Sequence, residues 1–197
     1  DFIKEKKIKL FTTPLGPVNA VSEITVMNML NLLKHSYKMN LNMHNNKWER
    51  ILGNEIKNKN VVIFGYGRIG KKVSKILECF SANVFFVDPF INKDKAPNNL
   101  IDKNQAITIA DIITIHISNN ETIIFSEDFK KMKKNVIILN SSRGKCVLED
   151  DLINALNTGV VGGAWIDTFE QEPYNGPLKN YDNVILTPHS ASYTQEC

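Results

Sequence analysis

Six short β-rich runs of apolar residues recur along the chain, at Val61–Phe64, Val84–Val87, Ile112–Ile117, Val136–Leu139, Val161–Ile166 and Val184–Leu186. Helical patterns separate most of them, for example Ile69–Phe80 and Leu148–Leu156. Runs of this kind read as strands covered on both faces, and strands joined by helices indicate an α/β fold built on a doubly wound parallel sheet. No internal repeat or low-complexity tract competes with that reading.

The segments before and after the strands are also informative. Glu23 to Trp48 reads as a long amphipathic helix, or a helix followed by a looser turn, with apolar positions at Ile24, Met27, Leu30 and Leu33. That stripe is expected to be packing surface. The opening "DFIKEKKIKLFTTP" reads as a charged helical turn and then a short strand from Ile8 to Thr12, stopped by Pro14. The closing "TPHSASYTQEC" looks like the start of a helix capped near Ser192 or Thr194. A first residue other than Met and a helix that stops within a turn lead to the expectation of a fragment cut at both ends.

The 197 residues suffice for one well-buried domain, or one domain and a piece of another. Hydrophobic content of 43% and charged content of 23% are ordinary for a globular protein. The net charge of +3 comes from scattered lysines, which argues against nucleic acid as a partner. No apolar run is long enough to span a bilayer and no signal peptide is seen, so no membrane partner is expected. Cys79, Cys146 and Cys197 form no CxxC pair and no metal-like cluster. Cys79 is expected to be a buried thiol and the chain cytoplasmic, with no metal.

Residues 61–90 carry the first functional signal. Val61–Phe64 lead into Gly65, Gly67 and Gly70 in GxGxxG spacing, and Ile69, Val73, Ile76 and Phe80 mark the expected buried face of the next helix. Gly65 permits the tight turn, Gly67 lets the backbone approach a pyrophosphate, and Gly70 lets helix and sheet pack closely. An acidic residue is due about 20 positions on, and Asp88 ends the next strand. Its carboxylate suits an adenosine ribose and repels a 2′-phosphate, so NAD is favoured over NADP. The alternative is an ordinary strand–helix turn with Asp88 as a strand-end cap.

Chemistry for a bound dinucleotide lies in the last third. "ILNSSRGK" places Arg143 just after a strand, "WIDTFEQEP" brings Asp167 and Glu172 after another, and "VILTPHSA" ends a third with His189. Open α/β sheets bind ligands at their carboxyl edge, where all of these fall. Singly, Arg143 reads as a surface charge, Glu172 as a loop acid and His189 as a turn residue. Packing does not require the three together.

With these motifs in place, the chain resembles the coenzyme-binding domain of the D-isomer-specific 2-hydroxyacid dehydrogenases. The resemblance rests on "TTPLGPVNAVSE", "VVIFGYGRIGKKV", "ADIITIHIS", "MKKNVIILNSSRG", "GGAWIDTFEQEP" and "DNVILTPHSA", in the family's order over nearly the whole chain. It implies an NAD-binding Rossmann fold at residues 15–190, with 1–14 as the end of the first substrate-lobe segment and 191–197 starting the helix back to that lobe. The substrate lobe would be mostly missing. It further implies Arg143, Glu172 and His189 as catalytic residues. Asp167 would hold the nicotinamide carboxamide, Arg68 and Ile69 would meet the pyrophosphate, Ser141 and Ser142 would line the nicotinamide side, and Ile117 would lie along the adenosine. His116 reads as a strand-end packing residue.

The implied roles are physically coherent. Arg143 offers a fork of donors to a 2-oxo acid, His189 exchanges a proton with its oxygen, and Glu172 stabilises and orients the charged imidazole. Ser22 in "VSE", Ser118 and the glycine-free loop "NNETIIFSED" depart from the usual family pattern without removing any of these groups. The small-molecule partner implied is a 2-hydroxy or 2-oxo acid, and the helix from Ser22 onward resembles one that builds a homodimer. Without the other lobe the chain is expected to bind NAD with little turnover. NAD-sensing corepressors share the fold and the three residues, and a bare Rossmann module without catalysis is the other alternative.

Overall fold

The six apolar runs pair into one parallel sheet, in the order β2-β1-β3-β4-β5-β6. The computed structural model describes residues 2–11, 13–92 and 96–197. The helices are α1 (Phe2–Glu5), α2 (Gly16–Lys34), α3 (Ser36–His44), α4 (Arg68–Cys79), α5 (Lys103–Ile109), α6 (Ser126–Phe129) and α7 (Glu149–Asn157). The strands are β1 (Asn60–Phe64), β2 (Asn83–Val87), β3 (Ile112–Ile115), β4 (Val136–Asn140), β5 (Val161–Ile166) and β6 (Val184–Leu186).

Alternation along each strand sorts the core into two layers. Val61 and Ile63 of β1 pack with Met29 of α2 and with Val73 and Leu77 of α4, while Val62 and Phe64 face the side of Ala106, Ile107, Leu152 and Ala155. Both faces are covered, which is why the strands are mostly apolar. After β2 the chain returns across β1 to place β3 on its other side. The sheet therefore has a topological switch point between the carboxyl ends of β1 and β3, where open α/β sheets form a crevice.

Several sequence expectations are corrected. The first long helix begins at Gly16, with Pro17 in its first turn, and breaks at His35, whose φ of 52° ends one helix before the next starts. Of the expected stripe only Leu33 is buried; Ile24 and Leu30 are half-buried and Met27 is exposed. The face toward the sheet is instead set by Val21, Ser22, Thr25, Val26 and Met29, with the buried Ser22 and Thr25 hydroxyls donating to Val18 and Val21 carbonyls. Residues 45–48 lie beyond α3, outside any helix.

Ile8–Phe11 form no strand and are exposed, and Thr12 lies outside the described residues. Residues 191–197 form turns, not a helix, with Tyr193 N–H bonded to Ser190 O and Thr194 N–H to Ser192 O. Cys79 is exposed; it and Phe80 fall past the α4 face defined by Gly70, Val73 and Leu77, and the buried thiol is Cys146. β3 ends at Ile115, two residues early, because the chain there turns toward the glycine loop.

His116 sits at this turn with Nε2 3.0 Å from Thr114 Oγ1, and burial pushes its imidazole from 6.5 down to about 4. A folded value below the unfolded one means that unfolding takes up a proton between them. The stability concerned is present above 6.5 and is lost as pH falls toward 4. His116→Gln should accordingly show a smaller drop in denaturant midpoint than the unsubstituted chain between about pH 7 and about pH 5.

Candidate active site

β1 delivers the glycine turn to the switch point. Gly65 has φ of +106°, and a Cβ there would lie 2.4 Å from the His116 carbonyl oxygen. At Gly70 a Cβ would lie 2.1 Å from Gly65 O, so helix and turn touch directly. Gly67 is different: a Cβ would meet nothing within 4 Å. The turn is thus packed on its inner side and open at the mouth of α4, whose first N–H groups lack partners within the helix. Arg68 is exposed at that mouth and Ile69 is half-buried against the core.

Asp88 follows β2 and is stitched to the same turn. Its Oδ2 accepts the Tyr66 N–H at 2.9 Å and its Oδ1 accepts the Phe90 N–H at 2.9 Å. The Tyr66 ring meets Phe86 edge-on at 4.6 Å and carries the Lys71 ammonium 4.3 Å from its centre. Across the switch point, Ile117 places its side chain beside Gly65 and its N–H 3.1 Å from Ser142 Oγ. That hydroxyl donates to Ile115 O at 2.6 Å, so Ser142 is buried and ties the end of β3 to the loop after β4. Ser141 is unlike it, with a buried Oγ that has no hydrogen-bond partner among the described residues.

The loop after β4 is shaped by Asn140, a residue that the sequence reading did not single out. Its amide donates to Arg143 O at 2.8 Å and accepts from Ser142 N–H at 3.1 Å, closing the turn that presents Arg143. The Arg143 guanidinium is exposed and donates to the neighbouring Ser142 carbonyl; among the described residues it has no carboxylate partner. Gly144 presses this loop against the one after β5, since a Cβ would lie 2.1 Å from the Phe169 carbonyl carbon.

Glu172 and His189 meet across those loops, with His189 Nδ1 2.9 Å from Glu172 Oε2. A carboxylate only accepts, so Nδ1 carries the proton. The His189 N–H and then the Phe169 N–H, 3.0 Å from Oε1, hold the Glu172 carboxyl below the usual range, against a smaller upward push from burial. His189 adopts φ of 51°, a left-handed conformation that costs a non-glycine residue about 1–3 kcal/mol.

Asp167 supports that conformation from below. It is fully buried; its Oδ1 accepts from the Thr187 hydroxyl and the Ser190 N–H, its Oδ2 from the Ala191 N–H, and its carbonyl from the His189 N–H. Thr187 also accepts the Trp165 indole N–H at 2.9 Å. Neither Thr187 nor Trp165 stood out in the sequence. Arg143, Glu172 and His189 finally line one cleft of about 250 Å³, with Asn120, Lys145 and Thr168 also on its wall.

A family model described as the NAD binding domain of D-isomer specific 2-hydroxyacid dehydrogenases matches residues 26–191. The chain belongs to this family. D-3-phosphoglycerate dehydrogenase from Synechocystis sp. is 34% identical over 96% of the chain and 36% of its own length. Hydroxypyruvate reductase from Thermotoga maritima is 31% identical over 98% of the chain and 66% of its own length. The NAD-complexed D-isomer specific 2-hydroxyacid dehydrogenase from Lactobacillus delbrueckii ssp. bulgaricus superposes with a TM-score of 0.83 at 29% identity, covering 100% of this chain and 67% of that one. The chain thus spans from about a third to two thirds of these relatives.

NAD is the cofactor of this domain, and the residues fit it. Gly67 leaves open space at a helix N-terminus, Asp88 stands at the end of the adjoining strand, and Ser141 offers a buried hydroxyl without a partner. No helix among the described residues is long and apolar enough to cross a membrane.

The close approach at Gly144 gives a direct test of how the loops after β4 and β5 are held. Gly144→Ala should lower stability by about 1–3 kcal/mol through overpacking against Phe169, read as a shift in denaturant midpoint. Gly67→Ala, which meets nothing, should shift it by less than about 1 kcal/mol.

Proposed function

We propose that this chain is the nicotinamide lobe of an NAD-dependent dehydrogenase that interconverts 2-oxo acids and D-2-hydroxy acids. One observation carries the reading: the cleft joins an arginine that has no carboxylate partner among the described residues to a histidine paired with a glutamate. Arg143 supplies a planar fork for the substrate carboxylate and the adjacent carbonyl oxygen. His189 gives a proton to that oxygen during reduction and takes one from the hydroxyl during oxidation. Glu172 fixes the ring through Nδ1, leaving Nε2 as the nitrogen for proton exchange, and stabilises the imidazolium. When bound, NAD supplies or accepts the hydride.

Gly65, Gly67, Arg68, Ile69 and Gly70 would hold the pyrophosphate and Asp88 the adenosine ribose, with Ile117 along the adenosine. Ser141 and Ser142 would border the nicotinamide. Ser141 has its hydroxyl free for it, whereas Ser142 acts by shaping the turn. Asp167 would stand beside the carboxamide while anchoring the 187–191 turn with its carboxylate.

In this reading residues 15–190 form the NAD-binding domain, and 1–14 and 191–197 lead to a substrate lobe that sets side-chain selectivity. Gly16 and Cys197 are neighbours, as two crossings into one lobe require; a Cβ on Gly16 would lie 3.6 Å from Cys197 Sγ. The enzyme would be cytoplasmic. A homodimer would cover the apolar surface that Met27, Tyr37, Leu41 and Met43 expose along α2 and α3. The pair Met27→Glu and Leu41→Glu should then convert a sedimenting dimer to monomer.

The enzymatic reading is tested by assaying the full-length protein with NADH against a panel of 2-oxo acids. His189→Ala should reduce kcat by roughly 10²- to 10⁴-fold with NADH affinity retained. Arg143→Lys should lower kcat/KM by roughly 10- to 100-fold, because a point charge cannot replace the fork. Rapid reduction of 2-oxo acids would disfavour the corepressor-like alternative, and tight NADH binding without turnover would favour a bare Rossmann module.

A further inference from the structure

We propose that Trp165 and Thr187 are positioning residues for His189, forming a buried relay that sets the place of its ring; the inference rests on the reading of His189 as the acid–base group. Trp165 is fully buried in β5, and a buried indole N–H needs an acceptor. Thr187 Oγ1 provides it at 2.9 Å. A hydroxyl has one proton to donate, and Thr187 directs it to Asp167 Oδ1 at 2.5 Å. The polarity of the relay is therefore set from the indole outward, ending on a carboxylate.

That carboxylate holds the turn carrying His189. Its two oxygens accept the Ser190 and Ala191 N–H groups at 2.9 and 3.0 Å, directly after His189 in the chain. The His189 N–H is bound in turn by Asp167 O at 2.8 Å and Thr187 O at 3.0 Å. The left-handed backbone of His189 needs such support from both flanks, and it aims Nδ1 at Glu172. Thr187 acts twice in this scaffold: its hydroxyl fixes Asp167 and its carbonyl fixes the His189 N–H. With the hydroxyl gone, the indole N–H loses its acceptor, Asp167 Oδ1 keeps only the Ser190 N–H, and the turn loses its lateral restraint. Trp165 acts one bond farther out and serves as the rigid end.

Thr187→Val keeps the shape and removes the hydroxyl; Thr187→Ser keeps the hydroxyl; Trp165→Phe removes the indole donor. In full-length protein, Thr187→Val should lower kcat at least about tenfold, leave the KM for NADH near its original value and displace the pH–rate profile. Thr187→Ser should restore both rate and profile. Trp165→Phe should show a milder form of the same defect, and combining it with Thr187→Val should add little, as members of one network do. A Thr187→Val protein that is less stable but keeps its kcat and profile would overturn the proposal, as would a Thr187→Ser protein as impaired as Thr187→Val. If the unsubstituted protein reduces no 2-oxo acid, the enzymatic reading fails separately. The relay is then decided by the His189 Cε1–H resonance of the chain followed through pH: an altered titration in Thr187→Val, restored in Thr187→Ser, supports it, and identical curves overturn it.

Discussion

All strands of a parallel sheet end at the same edge, and everything functional in this chain depends on that constraint. Antiparallel pairing would scatter the residues after β1, β3, β4, β5 and β6 to opposite ends. Parallel pairing brings Gly65, Ile117, Arg143, Glu172 and His189 out together, although they come from segments spread over much of the sequence. The contacts pass from strand to strand: Ile117 lies beside Gly65, Ser142 binds Ile117, Gly144 presses on Phe169, and Glu172 meets His189. The glycine turn and the Glu172–His189 pair are joined through this row of loops.

The constraint was legible because parallel strands under two layers of helix are predominantly apolar. Val61–Phe64 and Val161–Ile166 could hardly be misread. The helix ahead of the sheet was less legible, because it carries apolar residues on more than one face. Ile24, Met27 and Leu30 follow helical spacing as well as the buried set does, and only the position of the sheet separates them. Ser22 and Thr25 look polar in sequence but are buried, since each returns its hydroxyl to the carbonyl one turn back. Cys79 shows the same limit from the other side. It lies in an apolar pattern, yet falls just beyond the arc of α4 that meets the sheet.

At the candidate site, chemistry was legible and support was not. Arg143, Glu172 and His189 follow strands and are uncommon as a set, so residue type alone draws notice. Asn140, Thr187 and Trp165 carry no such mark. Asn140 reads as the polar end of a strand, and Trp165 as core. Asn140 matters through the local turn it closes with Ser142 and Arg143, and Thr187 and Trp165 through register: β5 and β6 place Trp165 opposite Ile185, two residues before Thr187. A hydrogen bond between residues some 20 positions apart becomes visible only when that register is set. Asp167 is a middle case. Its place after a strand suggested contact with the cofactor, and the fold shows it fully buried and bonded to the turn that carries His189.

The division between free and restrained charges in the cleft follows from these supports. Glu172 is restrained by His189 and by the Phe169 N–H, so its charge is already committed to the imidazole and does not compete for Arg143. Arg143 is held through its backbone by Asn140, and among the described residues its guanidinium has no anionic partner. In the proposed reading, a cation kept free while a neighbouring anion is occupied would meet an incoming carboxylate with little reorganisation left for the moment of binding. Had Glu172 been free to swing to Arg143, the two would neutralise each other and His189 would lose its orientation. The 3.0 Å bond from Phe169 to Glu172 therefore matters to the arginine as well as to the histidine, and the fold has provided for it in the loop that Gly144 holds close.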